Sequence, residues 1–503
     1  MHKFLKKAGS IGLGVALGLA LGVLLSVQFS AVANQEGKTP IPYEDLQLLA
    51  AVFGKIKSTY VDQVPDDKLI REAINGMVRG LDPHSDFLDG RELEDLKMTT
   101  QGKFGGLGIE VNSENDVIKV VSPIEDTPAF RAGIKSGDFI IKIDDTVTRS
   151  LPLSKAVDMM RGKPGTSVTL TIARKDETMP LVFKLVREEI NIKSIRYKMV
   201  EPGYGYVRIR NFQERTGEDL VQALNSLYKE TPLKGLVLDL RSDPGGLLTQ
   251  AVSVSSAFLP KDVMIVYTEG RTSEARMELK ARRRDYLGSP VAKDYLADLP
   301  GAVKTVPMVV LIDGGSASAS EIVAGALQDH QRAVLMGAPS FGKGSVQTIM
   351  QIDARHALKL TTARYFTPSG RSIQAKGIEP DIAVDDGRDV LRVREANLDH
   401  HMATPKNGKT PEAAKEEAVK APSPDDDKDK PAPPPVRFEF GSPEDFQLQQ
   451  ALNQLKGLPV IAAIKKEEKK DSAETAEKTD ASETLIFETE DKTPEKSNKT
   501  DKP

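Results

Sequence analysis

Two uninterrupted apolar segments constrain the fold of this chain more than any other feature. They are Gly235-Leu-Val-Leu-Asp-Leu240 and Val306-Pro-Met-Val-Val-Leu-Ile312. An apolar run without alternation is typical of a strand whose two faces are both covered, as in a sheet between layers of helices. Each run leads into a glycine-rich loop and then into apolar residues at helical spacing. Residues 189–385 are therefore predicted to form an α/β core.

The amino-terminal residues have the pattern of an export signal. Three lysines precede an apolar run from Ile11 to Phe29, and Ala31-Val-Ala33 offers a small-residue cleavage site. We interpret residues 1–33 as a signal peptide, which predicts a location in the periplasm or cell envelope. A run of this length can instead stay uncleaved as a membrane anchor, and that alternative stays open.

Composition narrows the chemistry and the partners. The chain of 503 residues contains no cysteine, which excludes a thiol nucleophile and suits an oxidising compartment. The net charge of −4 and the absence of a basic stripe argue against nucleic acid as a partner.

Two helices are predicted in the region 40–101, over residues 43–60 and 66–81, each with one apolar face. Those faces must pack on something. Either they form a cap on the core or they form an oligomer interface, so a homo-oligomer is an expected assembly.

The remaining segments divide by composition. Residues 102–188 are predicted to form a β-rich module, with strands over 117–121, 139–143 and 167–173 and a helix over 153–160. Residues 386–440 and 461–503 are charged and poor in apolar residues, which predicts a disordered linker and tail. Between them, residues 441–460 are predicted to form a helix with Ser442 as its N-cap and Pro443 in its first turn.

Ser318 is the first candidate catalytic residue. It lies in Asp313-Gly-Gly-Ser-Ala-Ser318-Ala-Ser-Glu-Ile322, where a strand should give way to a helix. Free backbone N–H groups at a helix N-terminus favour developing negative charge. Taken alone, the segment favours a simpler interpretation, a capping box Ser318-x-x-Glu321 with no catalysis implied.

Lys343 is the second candidate catalytic residue. Gly337-x-x-x-x-Gly342-Lys343 nearly matches a phosphate-binding loop, but Gly344 occupies the position where a serine or threonine would hold Mg²⁺. A base role requires a neutral amine, and burial would lower the lysine pKa in that direction. Gln347, four residues on, could orient that amine through its side-chain oxygen. The alternative is an ordinary solvated loop lysine.

The loop Asp239-Leu-Arg-Ser-Asp-Pro-Gly245-Gly246 leaves the other buried strand at the same edge of the sheet. The N–H groups of Gly245 and Ala319 could together stabilise an oxyanion. Taken alone, the glycines indicate only a tight turn.

Together these loops resemble the carboxy-terminal processing peptidases, or tail-specific proteases, of bacterial envelopes. Asp82-Pro-His-Ser85 and Tyr365-Phe-Thr-Pro-Ser-Gly370 also match that family. The resemblance covers roughly residues 40–385 and implies that Ser318, Lys343 and Gln347 are the catalytic set. It implies that residues 102–188 are a PDZ domain whose carboxylate-binding loop is Gly105-Gly106-Leu107-Gly108-Ile109.

Two histidines are considered and set aside. His84 and Ser85 are adjacent, so we interpret them as a structural turn and not as a Ser-His pair. His330, twelve residues past Ser318, is the only histidine that could replace Lys343 as base.

The sequence thus predicts an exported serine endopeptidase that binds the C-terminal tails of protein substrates, with a multidomain α/β fold and no cofactor or metal. Two alternatives remain. One is a latent protease activated by assembly or by an adaptor protein, and the other is a peptide-binding scaffold without activity.

Overall fold

The computed structural model describes residues 42–114, 116–175, 177–289, 291–385, 393–404 and 440–462. The predicted signal peptide and residues 463–503 of the predicted charged tail lie outside these ranges. Within them, no helix is both long and apolar enough to cross a membrane.

The amino-terminal region is built from α1 (Tyr43–Thr59), α2 (Asp66–Arg79), β1 (Asp86–Leu88) and α3 (Gly90–Gln101). The α1 helix buries none of its residues, and α2 buries only Val78. The interpretation of the two helices as a cap on the core is therefore wrong for α1, because the apolar side chains of a cap would be covered.

A β-rich module follows. Its elements are β2 (Lys103–Gly106), β3 (Ile109–Glu114), β4 (Val117–Pro123), α4 (Pro128–Arg131), β5 (Phe139–Ile143), β6 (Thr146–Val147), α5 (Leu153–Met160), β7 (Ser167–Ala173), β8 (Leu181–Val186) and β9 (Glu188–Asn191). The main sheet has the order β3-β4-β5-β7-β8, and β2 pairs separately with β9. Inward side chains such as Ile118, Ile140 and Leu170 form its own core, and β3 stays open at one edge.

The α/β core contains two sheets. Its elements are β10 (Ile195–Glu201), β11 (Tyr204–Ile209), α6 (Thr216–Glu230), β12 (Gly235–Asp239), α7 (Leu248–Phe258), β13 (Met264–Gly270), β14 (Glu278–Lys280), α8 (Arg283–Tyr286), β15 (Met308–Ile312), α9 (Ala319–Asp329), β16 (Val334–Gly337), β17 (Ser345–Gln351), β18 (Ala357–Phe366) and β19 (Ile382–Ala383). The larger sheet has the order β10-β11-β12-β15-β16-β19 and is parallel from β11 onward. Every residue of β12 and β15 is buried, as the two apolar segments predict.

The second sheet is antiparallel and has the order β1-β18-β13-β14, with β17 also paired to β18. Through β1, the amino-terminal region contributes a strand to the core. The β17–β18 register is irregular, because Val346 lies opposite Ala363 whereas Gln347 lies opposite Thr361. Thr362 is the extra residue of this bulge, which changes the direction of nearby side chains.

The last helix, α10 (Phe446–Leu455), packs on the parallel sheet through Leu448, Ala451 and Leu452. The prediction that Ser442 caps it is wrong. Asp445 is the N-cap and accepts a hydrogen bond from the N–H of Leu448 at 3.1 Å. The Ser442 hydroxyl instead accepts from the N–H of Glu444 in the preceding turn, at 3.2 Å.

Part of the predicted disordered linker is ordered. Residues 393–404 lie against the core, and Glu395 is fully buried there. Composition did not predict this ordered segment, because polar contacts of single side chains hold it in place and apolar content does not.

Candidate active site

Ser318 lies on the turn between β15 and α9, with φ 57° and ψ −113°. An N-cap residue normally has an extended backbone, and a side-chain-bearing residue at this positive φ is strained. Its backbone N–H donates to the Glu321 carboxylate at 2.7 Å. The capping-box contact therefore exists, but the strained backbone sets this serine apart from an ordinary helix cap.

Glu321 joins the serine loop to the lysine loop. One carboxylate oxygen accepts from the N–H groups of Ser318 and Lys343, at 2.7 and 3.0 Å. The other accepts from the Gly342 N–H at 2.7 Å and from the Ser340 hydroxyl at 2.6 Å. The apparent phosphate-binding loop thus already holds a carboxylate. Burial raises the pKa of Glu321 to about 7, against the opposing effect of these hydrogen bonds.

The Lys343 side chain is partly buried, and burial lowers its pKa to about 8. The positive charge of Lys359 acts in the same direction, whereas the carboxylates of Glu395, Glu321 and Asp82 oppose it. Its amine donates no hydrogen bond to a described residue.

Tyr365 lies close to both candidate residues. Its hydroxyl donates to the backbone carbonyl of Lys343, and the Ser318 side chain is near enough to act on its pKa in the lowering direction. Burial raises its pKa well above the usual value, so the phenol stays protonated. The sequence marked its segment as a motif, but nothing local indicated this contact.

Gln347 lies on β17 at the point where the pairing register with β18 shifts. Its amide nitrogen donates to the hydroxyls of Ser345 at 2.9 Å and Thr361 at 3.1 Å. The expected hydrogen bond between its oxygen and the Lys343 amine is not formed in this conformation. Since Lys343 precedes the strand and the bulge interrupts alternation, the spacing of four residues alone could not place the two side chains.

Gly245 lies directly against Ser318, at φ 94°. A side chain there would come within 2.6 Å of the Ala317 carbonyl oxygen and 2.9 Å of the Ser318 Cβ, so only glycine fits. Its N–H, however, donates to Asp243 Oδ1 at 2.8 Å. The N–H of Ala319 makes no hydrogen bond to a described residue. Of the two expected oxyanion donors, the Ala319 N–H is therefore available, whereas the Gly245 N–H is already bonded to Asp243.

Asp243 was not singled out by the sequence. It is fully buried, its Oδ2 has no hydrogen-bond partner among the described residues, and burial raises its pKa to about 8. Its backbone carbonyl accepts from the Ala317 N–H at 3.0 Å and from the Ser320 hydroxyl at 2.9 Å. The residue that holds the Gly245 N–H is thus also attached to the serine loop.

The histidines behave as predicted. The Ser85 hydroxyl donates to Asp82 at 2.7 Å, and His84 Nε2 contacts Glu395 at 2.8 Å, so the two do not form a Ser-His pair. His330 caps the far end of α9 and contacts the Met264 carbonyl oxygen at 2.6 Å.

The expected carboxylate-binding loop is shorter than predicted. Gly105 and Gly106 belong to β2 and pair with Glu189 and Glu188 of β9. Leu107 and Gly108 remain as the connection before Ile109 opens β3, and their N–H groups donate to no described backbone carbonyl. A concave groove runs beside them. It is lined by Phe104, Gly106, Leu107, Gly108, Ile109, Val111, Val157, Met160 and Arg161.

Among the described residues, no group of three or more acidic or histidine side chains is arranged to hold a metal ion.

Comparison with known proteins gives the family. Residues 105–185 match the PDZ domain, and residues 203–384 match peptidase family S41. A carboxy-terminal-processing protease of Bartonella bacilliformis is 49% identical over 359 residues, or 71% of this chain and 78% of that protein. A probable CtpA-like serine protease of Staphylococcus aureus is 36% identical over 343 residues, or 68% of this chain and 65% of that protein.

Among solved structures, the photosystem II D1 C-terminal processing protease is 29% identical, with a TM-score of 0.38 over 66% of this chain and 86% of its own. Because the chain covers 78% of a relative with which it shares 49% identity, it belongs to peptidase family S41 and is a carboxy-terminal-processing serine peptidase with a PDZ domain ahead of its catalytic core.

Proposed function

We propose that the protein cleaves peptide bonds by a Ser-Lys acyl-enzyme mechanism in which Ser318 is the nucleophile and Lys343 the general base. One observation carries this assignment. A partly buried lysine with a pKa lowered to about 8 lies on a loop that shares the Glu321 carboxylate with the strained serine. A base with a pKa near the working pH is best suited to proton transfer.

The steps follow from these groups. Ser318 Oγ attacks the scissile carbonyl carbon as its proton passes to the neutral Lys343 amine. The oxyanion is stabilised by the N–H of Ala319 and, once released from Asp243, by that of Gly245. When the C–N bond breaks, the Lys343 ammonium returns the proton to the departing amine. A water molecule then attacks the acyl carbon as its proton passes to Lys343. When the ester C–O bond breaks, Lys343 returns that proton to Ser318 Oγ and the product acid departs.

The substrate class follows from the PDZ groove. The free N–H groups of Leu107 and Gly108 suit the terminal carboxylate of an unstructured tail, which can add to the open edge of β3 as a further strand. Arg161 adds positive charge to the lining and is held by Asp95 at 3.0 Å.

A latent resting state is part of the proposal. The Gly245 N–H is engaged by Asp243, and the Lys343 amine makes no hydrogen bond to Ser318 or Gln347 in the described conformation. Substrate binding, an adaptor or self-association through α1 and α2 would complete the site. The lysine-rich start and apolar run of residues 1–33 support export to the periplasm.

The test compares wild type with Ser318→Ala and Lys343→Ala on an unfolded polypeptide carrying either a free or an amidated C-terminus. Both variants should fold and lose cleavage, and wild type should prefer the free carboxylate. Cleavage by Lys343→Ala at the wild-type rate would exclude this lysine as the base. Equal rates on the two substrates would exclude carboxylate recognition.

A further inference from the structure

The Asp82-Pro-His84-Ser85 segment, interpreted from sequence as a turn, is connected to the candidate catalytic set by hydrogen bonds. Asp82 is 4% exposed, and its Oδ1 accepts from the backbone N–H groups of His84 at 2.8 Å and Ser85 at 2.9 Å. The Thr361 hydroxyl on β18 donates to the same oxygen at 3.1 Å. The turn therefore also contacts β18, the strand whose residue Thr361 lies opposite Gln347.

The direction of the next hydrogen bond follows from donor and acceptor chemistry. An ionised carboxylate can only accept, so Thr361 must direct its single hydroxyl hydrogen to Asp82. The Thr361 oxygen is then left as an acceptor, and it receives the Gln347 amide nitrogen at 3.1 Å. The second hydrogen of that nitrogen goes to the Ser345 hydroxyl at 2.9 Å.

Both hydrogens of the Gln347 amide are thereby occupied, and its oxygen accepts no hydrogen bond from a described residue. The bulge at Thr362 is what brings Gln347 opposite Thr361. Asp82 remains ionised because hydrogen bonds from Ser85, His84 and Thr361 outweigh the effect of burial and lower its pKa. Its charge also acts on Lys343, so the segment lies within electrostatic reach of that amine.

We propose that Asp82, acting through Thr361, is a positioning residue that fixes the orientation of the Gln347 amide so that its oxygen, and not its nitrogen, is available to the Lys343 amine. The proposal rests on the Ser318 and Lys343 assignment given above. Without the Thr361 hydroxyl the amide can rotate, and its nitrogen would then compete for the lone pair that Lys343 needs as a base.

The amino-terminal region therefore supplies part of the active site and is not only an attachment to it. Its strand β1 follows the segment directly and pairs with β18 from Asp86 opposite Lys359 to Leu88 opposite Ala357. This pairing holds Asp82 in register with Thr361.

The experiment measures kcat and KM for Thr361→Val, Thr361→Ser and Thr348→Val in the full chain. Thr361→Val removes the hydroxyl with little change in shape. We expect kcat to fall at least tenfold with KM within twofold. The rising limb of kcat/KM should move to lower pH, because the ammonium loses an acceptor. Thr361→Ser keeps the hydroxyl and should restore both values.

Thr348→Val is the matched control, because it removes a cross-strand hydroxyl pair with Thr362 on the same two strands without touching Gln347. Its kcat should stay within twofold of wild type, and the melting temperatures of both valine variants should be compared. A loss in Thr361→Val that the control reproduces would overturn the proposal.

A double-variant cycle tests whether Thr361 orients the Gln347 amide or only supports the Gln347 side chain. In a Gln347→Glu background the side chain ends in two oxygens and has no nitrogen to misdirect, so adding Thr361→Val should lower kcat no further than twofold. A full additional loss in that background would overturn the proposal. An error in the Ser318 and Lys343 assignment would give a different result, because Ser318→Ala would then retain cleavage.

Discussion

Lys343 is placed where its charge is disfavoured, and this has a consequence for stability. Its pKa is lowered from 10.5 to about 8, chiefly by burial. Below about pH 8 the folded protein holds a charged lysine in an unfavourable site, whereas the unfolded chain holds it in water. That destabilisation fades as the pH rises from about 8 to 10.5, because the unfolded chain then binds more protons than the folded one.

We therefore expect Lys343→Met to abolish cleavage and stabilise the fold at pH 7 by about 2 kcal/mol, since one pKa unit corresponds to about 1.4 kcal/mol and the amine is partly solvated. Thermal melting at pH 7 and pH 10 would measure this. The gain over wild type should shrink at pH 10. A variant less stable than wild type at pH 7 would contradict burial as the cause of the shift.

The pH dependence of cleavage should depend on two groups with opposite effects. In the proposed mechanism, Lys343 becomes an effective base as it loses its proton near pH 8. Asp243 ionises near the same pH and, as a carboxylate, holds the Gly245 N–H more strongly, which would withdraw one of the two proposed oxyanion donors.

The expected profile of kcat/KM in wild type is a narrow bell centred near pH 8. Asp243→Asn keeps an oxygen for the Gly245 N–H but does not titrate, so its profile should rise to a plateau without the falling limb. Steady-state rates between pH 6 and 10 would decide. A falling limb retained in Asp243→Asn would assign it to another group.

At the scale of residues, the sequence identified candidates more readily than their partners. Ser318, Lys343 and Gly245 lie in short motifs whose residue types already suggest their chemistry. Glu321 offered only a cap signal, because its contacts with Gly342 and Lys343 join segments about twenty residues apart. The buried Glu395 gave no local signal, since its neighbours in the chain form no apolar pattern and its partners, His84 and Gln374, lie elsewhere in the sequence.

At the scale of elements, α10 is fastened to the strand that leads to the Gly245 loop. The Arg241 guanidinium bridges Asp239 at the end of β12, at 2.9 Å, and Asp445 at the start of α10, at 2.6 Å. The Tyr206 hydroxyl donates to Asp239 as well. Burial disfavours the charge of Arg241, but these carboxylates raise its pKa well above the usual value.

Removing Asp445 leaves the Arg241 guanidinium paired with Asp239 alone, and losing a hydrogen bond to a charged group typically costs about 1.5–3 kcal/mol. We expect Asp445→Ala to destabilise the core by an amount in this range and Asp445→Asn by less, because the amide keeps the cap and one acceptor. Glu444→Ala, one residue earlier and exposed, is the control. Thermal or urea unfolding would measure the difference, and equal stability of the two Asp445 variants would show that the ion pair contributes little.

Regular elements were the most predictable part of the fold. The strands β12 and β15 and the helix α5 follow from periodicity, because burial on one or both faces leaves a repeated signal. The bulge that aligns Gln347 with Thr361 leaves none, since it depends on how β17 and β18 pair. Composition likewise did not predict that residues 393–404 dock on the core, because a few polar contacts do not require an apolar segment.

At the scale of the whole molecule, the described parts of the chain bury no residue of α1 and only Val78 of α2. Leu49 and Val52 on α1 are 50% and 48% exposed, and Met77 on α2 is 66% exposed. Contiguous exposed apolar side chains favour association. In the same region, Asp82 follows α2 and accepts a hydrogen bond from Thr361, which in turn accepts one from Gln347. Association on this face would thus act on the proposed catalytic residues through the hydrogen bonds that join Asp82, Thr361 and Gln347.

We expect the chain to self-associate through α1 and α2, and Val52→Asp to shift it toward monomer and lower kcat. A charge in an apolar interface loses solvation without gaining a partner. Lys55→Asp, an exposed charge reversal on the same helix, is the matched control and should leave both properties near wild type. Light scattering and cleavage rates over a range of protein concentrations would measure mass and activity together. If Val52→Asp has the mass of wild type at every concentration, the face serves another partner, and if mass falls while kcat stays constant, assembly does not control the site.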